Sequence, residues 1–142
     1  LLVGGQLVVI LINHLPSKIS GEELDPVRVA LGARLRTMVD GTLSFFPQAH
    51  VAVVGDFNDT PDSDTLAWAR GQGPDALVDL TALVPLADRY SYVYHGEQQV
   101  LDYVLATPAL AATVVPGATH FLHSEVASQA SDHYPLVTRF SW

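Results

Sequence analysis

Cysteine is absent from the 142 residues, which excludes disulfides and thiolate metal sites. It leaves the compartment open, because a cysteine-free chain suits the cytosol and the exterior alike. Positive charge is scarce: 7 Lys and Arg stand against 15 Asp and Glu, a net charge of −8. That balance argues against a broad surface for gripping duplex DNA, which needs clustered Lys and Arg. A phosphate substrate is still allowed, since a bound metal ion supplies positive charge locally, and part of the acidity would then be the metal site. Long apolar runs are also missing. The stretches Leu1 to Val3 and Leu7 to Ile12 fall well short of the ~20 residues that span a bilayer. They have neither the basic flank nor the small-residue cleavage site of a signal peptide. A buried strand is the better reading. The chain does not open on Met, and we expect it to be a piece of something longer. No repeat, low-complexity tract or domain-splitting linker occurs.

What is present fits one α/β domain over residues 1–142. Hydrophobic residues make up 49% and charged residues 15%, so the sheets should be largely covered. A chain this long buries roughly 68–70% of its unfolded surface. Gln6 to Asn13 reads as a strand, and Leu15 to Glu23 as a polar loop. Val27, Ala30, Leu31, Leu35, Met38 and Val39 recur at helical spacing, which predicts an amphipathic helix from Pro26 to about Leu43 with Asp25 as its N-cap. Val51 to Gly55 is a short buried strand. Ser63 caps a short helix through Arg70, broken by Gly71, Gly73 and Pro74. Ala76 to Leu83 is ambiguous. Tyr90 to Tyr94 and Val100 to Leu105 read as the arms of a hairpin about His95-Gly96-Glu97. Thr113 to Val115, Thr119 to Leu122 and Pro135 to Phe140 are further strands.

Polar segments sit beside these apolar runs. They are Asn13-His14-Leu15-Pro16-Ser17-Lys18, Gly55-Asp56-Phe57-Asn58-Asp59-Thr60-Pro61, Leu101-Asp102-Tyr103-Val104-Leu105 and Ser131-Asp132-His133-Tyr134-Pro135. Strand ends are where a rigid sheet presents side chains to a cleft. Acids, an amide and an imidazole together form a set able to split a phosphate ester with a metal. In this order and spacing the four segments resemble the endonuclease/exonuclease/phosphatase superfamily (DNase I-like). The resemblance covers nearly the whole chain.

It implies part of a four-layer α/β/β/α sandwich with mixed, largely antiparallel sheets. It also implies hydrolysis of phosphodiesters or phosphomonoesters with Mg²⁺, or Mn²⁺ or Ca²⁺ in its place. Domains of this family are larger, on the order of 250 residues. Their first half carries an Asn and a metal-binding Glu that nothing before Asn13 matches. The chain thus resembles the C-terminal portion of such a domain, without the principal metal carboxylate. Half of a two-sheet sandwich would leave an apolar face for another copy or a missing N-terminal half to cover.

The resemblance assigns roles residue by residue. His133 corresponds to the general base, a task suited to an imidazole, which titrates near neutral pH. The plain alternative is a surface His capping a loop. Asp102 would orient His133, since a carboxylate inside an apolar strand needs a partner. Its alternative is the wet face of a half-exposed strand. Asp56 and Asn58 point the same way in an extended segment and would hold metal, water and the scissile phosphate. Asp132 would be a metal-side or water-orienting carboxylate. For all three, ordinary turn residues are the alternative. His14 would contact the phosphate or act as an acid, or else be a structural His. Lys18, with Ser17, would face the phosphate or lie in a solvated loop. Arg28 is expected to brace the loop, and Asp59 to shape it with Pro61. Tyr90, Tyr92, Tyr94 and Tyr103 read as sheet packing, and His50, His95, His120 and His123 receive no role.

The expected function is metal-dependent phosphoester hydrolysis by an activated water. The competing class is a catalytically incomplete fragment or non-enzymatic binding module that keeps the motifs by descent. The substrate is open among small molecules, lipid head groups and nucleic acid. Acidity favours the first two over duplex DNA.

Overall fold

A computed structural model describes residues 1–18 and 22–142. The middle of the polar loop expected over residues 15–23 lies outside the described residues. The amino-terminal apolar runs form strands β1 (Leu2–Val3) and β2 (Gln6–His14). Helix α1 (Asp25–Phe45) follows, then β3 (His50–Asp56) and the short helix α2 (Asp64–Arg70). The ambiguous stretch resolves into a two-residue strand, β4 (Val78–Asp79), and a 3-10 turn over Leu80–Leu83. The second half holds β5 (Tyr92–Tyr94), β6 (Glu97–Gln99), β7 (Asp102–Ala106), helix α3 (Pro108–Ala111), β8 (Val114–Phe121), helix α4 (Glu125–Ala130) and β9 (Leu136–Phe140).

Helix α1 buries Arg28, Gly32, Leu35 and Val39, one stripe at helical spacing. Gly32 lets α1 and α2 touch: a Cβ there would come within 2.4 Å of the Thr65 carbonyl oxygen. The helix starts one residue before the expected boundary. Leu24 occupies the N-cap position with no side-chain cap, and the Asp25 carboxylate pairs with the Arg28 guanidinium instead. Ser63 caps α2 as expected, accepting from the Leu66 N–H.

The central sheet runs β1-β2-β3-β7-β4. Among the described residues only β2 and β3 are parallel, and every other strand pair is antiparallel. Side chains alternate across it. Val51, Val53 and Leu105 face the helices and share a core with Leu35, Val39 and Leu66. Ala52 and Ala106 face the other way, against Leu110, with Val114 and Phe140 of the β8–β9 ribbon packed on them. The protein is thus a mixed α/β fold, its sheets mixed and largely antiparallel. Ile10 and Ile12, on the face that carries Val54 and Asp56, are 46% and 81% exposed.

The expected hairpin between residues 90–94 and 100–105 is not formed. The turn at His95-Gly96 is real, with positive φ at both residues (49° and 87°), as a tight two-residue hairpin turn requires. It joins β5 to β6, not to β7. Ser91 causes the split. Its hydroxyl accepts from the N–H groups of Leu101 and Asp102, at 2.9 and 3.1 Å. The chain leaves the hairpin there, and β7 pairs with β3 and β4 instead. The separate strands expected at 113–115 and 119–122 are one strand, β8, with a register shift between Val114 and Thr119.

Candidate active site

The strand register builds the site. His14 ends β2, Asp56 ends β3 and Asp102 begins β7. His14 pairs with Asp56, and Asp56 pairs with Asp102, so the three form one row across three strands. Gly55 makes this row possible. Its φ is +128°, and a Cβ there would lie 2.0 Å from the Asn13 carbonyl oxygen. The backbone of Asp56 is then fixed from both sides, since its carbonyl accepts from the Leu15 N–H and the next N–H, of Phe57, donates to Leu101.

His133 arrives from the loop before β9. Its Nδ1 lies 2.6 Å from Oδ2 of Asp102, and both side chains are about three-quarters buried, at 25% and 22% exposure. The pair expected from the sequence is therefore formed. Its backbone is held as well. The His133 N–H donates to the Ser131 hydroxyl, and the Tyr134 N–H donates to the Ser91 carbonyl at 2.7 Å. Ser91, itself fully buried, thus ties the start of β7 to the His133 loop.

Asp56 is the electrostatic centre. Burial raises its pKa above the ordinary carboxylate value, and the nearby Asp102 charge adds to that. The Asn58 N–H partly offsets the shift, donating to Oδ1 at 2.7 Å. The Asn58 side-chain NH₂ donates to Oδ2 at 2.8 Å and to the Leu15 carbonyl at 2.9 Å. Both its donors are engaged, which leaves the amide oxygen as its remaining polar atom. His14 is mostly exposed, with Nε2 at 3.5 Å from Oδ2 of Asp56.

A cleft of about 690 Å³ opens over this row. Asp132 and Lys18 also line it, so every residue nominated for the site from sequence borders one cavity. Lys18, however, is bound: its Nζ lies 2.6 Å from Asp59. Asp59 is buried, accepts from the Thr65 hydroxyl at 2.7 Å, and lies 3.8 Å from the Arg28 Nε. Arg28 is fully buried and donates to the Pro16 carbonyl, which braces the loop as expected.

Sequence reasoning missed the opposite wall. Tyr92, Tyr94, Gln99 and Leu101 line the cleft, so Tyr92 and Tyr94 are not merely sheet packing. Tyrosines alternating along a strand carry no mark that separates a packed face from an open one. Tyr103 does pack, fully buried and edge-on to Phe57. Ser91 was missed too, and a lone serine offers no signal.

Asp56, Asp102 and His133 each offer one ligand atom, all within 4.8 Å of one another. A desolvated carboxylate beside a like charge is stabilised by a positive ion, so the residues fit one.

The family model for the endonuclease/exonuclease/phosphatase family matches residues 1–137. The chain belongs to that family. Its members include nucleases and phosphatases, both of which cleave phosphoester bonds. The fold is similar to that of an AP endonuclease from Archaeoglobus fulgidus, with a TM-score of 0.71 at 20% identity. The match covers 99% of this chain and 63% of that chain, so this chain spans less than two thirds of that structure's length. Among curated proteins, none matches the chain by sequence.

Proposed function

We propose that the cleft hydrolyses a phosphoester with a divalent cation, by an activated water. The observation that carries this reading is the Asp102–His133 pair, 2.6 Å apart and within 4.8 Å of the Asp56 carboxylate in one cavity. Asp102 holds the proton on Nδ1, which leaves Nε2 of His133 to accept a proton from water. As the imidazolium forms, the Asp102 charge stabilises it. His14 steadies the phosphoryl oxygens as negative charge builds. Asn58, whose two amide donors are both engaged, offers only its oxygen, which suits the cation rather than the phosphate. Asp56, with Asn58 and Asp132, would hold Mg²⁺, Mn²⁺ or Ca²⁺, which suit oxygen ligands. Such an ion supplies Lewis-acid charge to the phosphoryl group. Because Asp102 already engages the Nδ1 of His133, we assign His133 to proton transfer rather than to the metal.

The test is hydrolysis of a panel of phosphodiesters and phosphomonoesters with and without Mg²⁺. Turnover that requires the ion and falls in Asp102→Asn supports the reading. Turnover indifferent to the ion, or no turnover in any longer form of the protein, contradicts it.

We also propose that residues 1–142 form one unit, the C-terminal portion of a larger domain. The open strip at Ile10 and Ile12 supports this, because large exposed apolar residues on a sheet face mark an interface. Light scattering should show self-association of this chain. A monodisperse monomer at high concentration that binds no dye for apolar surface argues against it.

A further inference from the structure

We propose that the β5–β6 hairpin seats an aromatic ring beside the phosphate, so that the substrate is a small phosphoester bearing a nucleobase. This rests on the phosphoester reading above and names its substrate class. The cleft, at about 690 Å³, is in the range of sites for whole small molecules and exceeds what one phosphate needs. Its two walls differ. One carries the acids and imidazoles. The other carries Tyr92, Tyr94, Gln99 and Leu101, with no charge.

Tyr92 and Tyr94 stand two apart on one strand, so they share a face. Their rings are 6.3 Å apart and within 17° of parallel, a stacked pair that forms a shelf along this wall. The shelf starts at the reaction centre, since the Tyr92 ring lies 4.8 Å from the His133 ring. Tyr94 is 42% exposed, and a large ring left open inside a cleft is a surface for another ring. Gln99 is the direct cross-strand partner of Tyr92, on the same face. Its amide carries both donors and acceptors, as recognition of a base edge requires.

Charge limits the size of the ligand. Among the described residues that line the cleft, Lys18 is the one with a permanent positive charge, and Asp59 already holds it at 2.6 Å. Glu97 pairs across from Tyr94 at the outer end of the shelf. A second or third phosphate in that direction meets a carboxylate instead of a cation. The shelf therefore suits a neutral ring at the end of a short ester, not a run of backbone.

Calorimetry on the intact chain with Mg²⁺ tests this without relying on turnover. Adenosine 5′-monophosphate should bind at least about tenfold more tightly than ribose 5-phosphate, the low end of one base–aromatic stack. Tyr94→Ala should erase the difference, and Tyr94→Phe should keep it. Equal affinities, a preference that survives Tyr94→Ala, a hexose phosphate binding as tightly as the nucleotide, or no binding of either at millimolar concentration overturns the inference. The two proposals fail separately. Metal-dependent hydrolysis without preference for ring-bearing esters overturns only the shelf. Ring-selective binding with no hydrolysis overturns only the hydrolase reading.

Discussion

Asp56 and Asp59 stand three residues apart in one loop, and their surroundings push their acidity in opposite directions. Both are desolvated. At Asp59, burial alone would raise the pKa, but hydrogen bonds from Lys18, Thr65 and Thr60 outweigh it and lower the value. At Asp56, burial wins: with the like charge of Asp102 added to it, the Asn58 N–H and the His133 and His14 imidazoles do not offset it. A carboxylate fully answered by its own protein is a structural strut. One left short of positive charge, at the floor of a cleft, is where a cation or a phosphate-bound ion belongs. The Asp59 region, with buried Arg28 and the loop around Pro16, is thus a rigid foundation for the Asp56 region.

The comparison breaks most visibly at the cleft. Asp102→Asn keeps the shape of the side chain but cannot stabilise an imidazolium on His133. Turnover should fall by roughly 10⁴, the scale that this change has in a serine-protease triad. His133→Ala should cost a similar factor, and the double variant little more than either. Near-normal turnover in Asp102→Asn, or fully additive losses, would remove the pair from the mechanism. Melting temperature should change little in Asp102→Asn.

At the foundation the effects should reverse. Asp59→Ala leaves Thr65 and Lys18 without their carboxylate and the buried Arg28 with Asp25 alone, and should destabilise the fold by about 3 kcal/mol in chemical denaturation. The sign with pH follows from the lowered value. Asp59 contributes stability that is complete well above the ordinary 3.8 and is lost as pH falls through its lower folded value. Wild-type stability should therefore drop on acidification below about that point, and the drop should be smaller in Asp59→Ala. Equal acid sensitivity in both proteins would contradict the assignment.

The parts of this division that sequence made legible are local. Gly55-Asp56-Phe57-Asn58 and Ser131-Asp132-His133 are contiguous, and each keeps its character whatever surrounds it. Asp102 stood out because it interrupts an apolar run. Other features depend on contacts far along the chain. The Lys18–Asp59 pair spans the whole of α1, so nothing near Lys18 showed that its ammonium is engaged. Asp25 had the look of an N-cap, but the fully buried Arg28 one turn later attracts its carboxylate. The fate of residues 90–105 turned on Ser91, whose hydroxyl holds two N–H groups of the chain ten and eleven residues on. That single contact separates the β5–β6 hairpin from β7, and so turns Tyr92 and Tyr94 toward the cleft.

Ser91 links the two regions, and its loss should give the smallest of these effects. Ser91→Ala leaves the N–H groups of Leu101 and Asp102 without an acceptor. The expected cost is about 1–3 kcal/mol, with a loss of turnover well below that of Asp102→Asn. Stability unchanged within error would show that the hydroxyl does not hold β7.

The division between the two carboxylates is tested most directly by calorimetric titration of Mn²⁺ into the wild type, Asp56→Ala and Asp59→Asn. The account predicts one site in the wild type, affinity weaker by at least about tenfold in Asp56→Ala, and near-wild-type affinity in folded Asp59→Asn. No binding to the wild type, or equal losses in both variants, would contradict it.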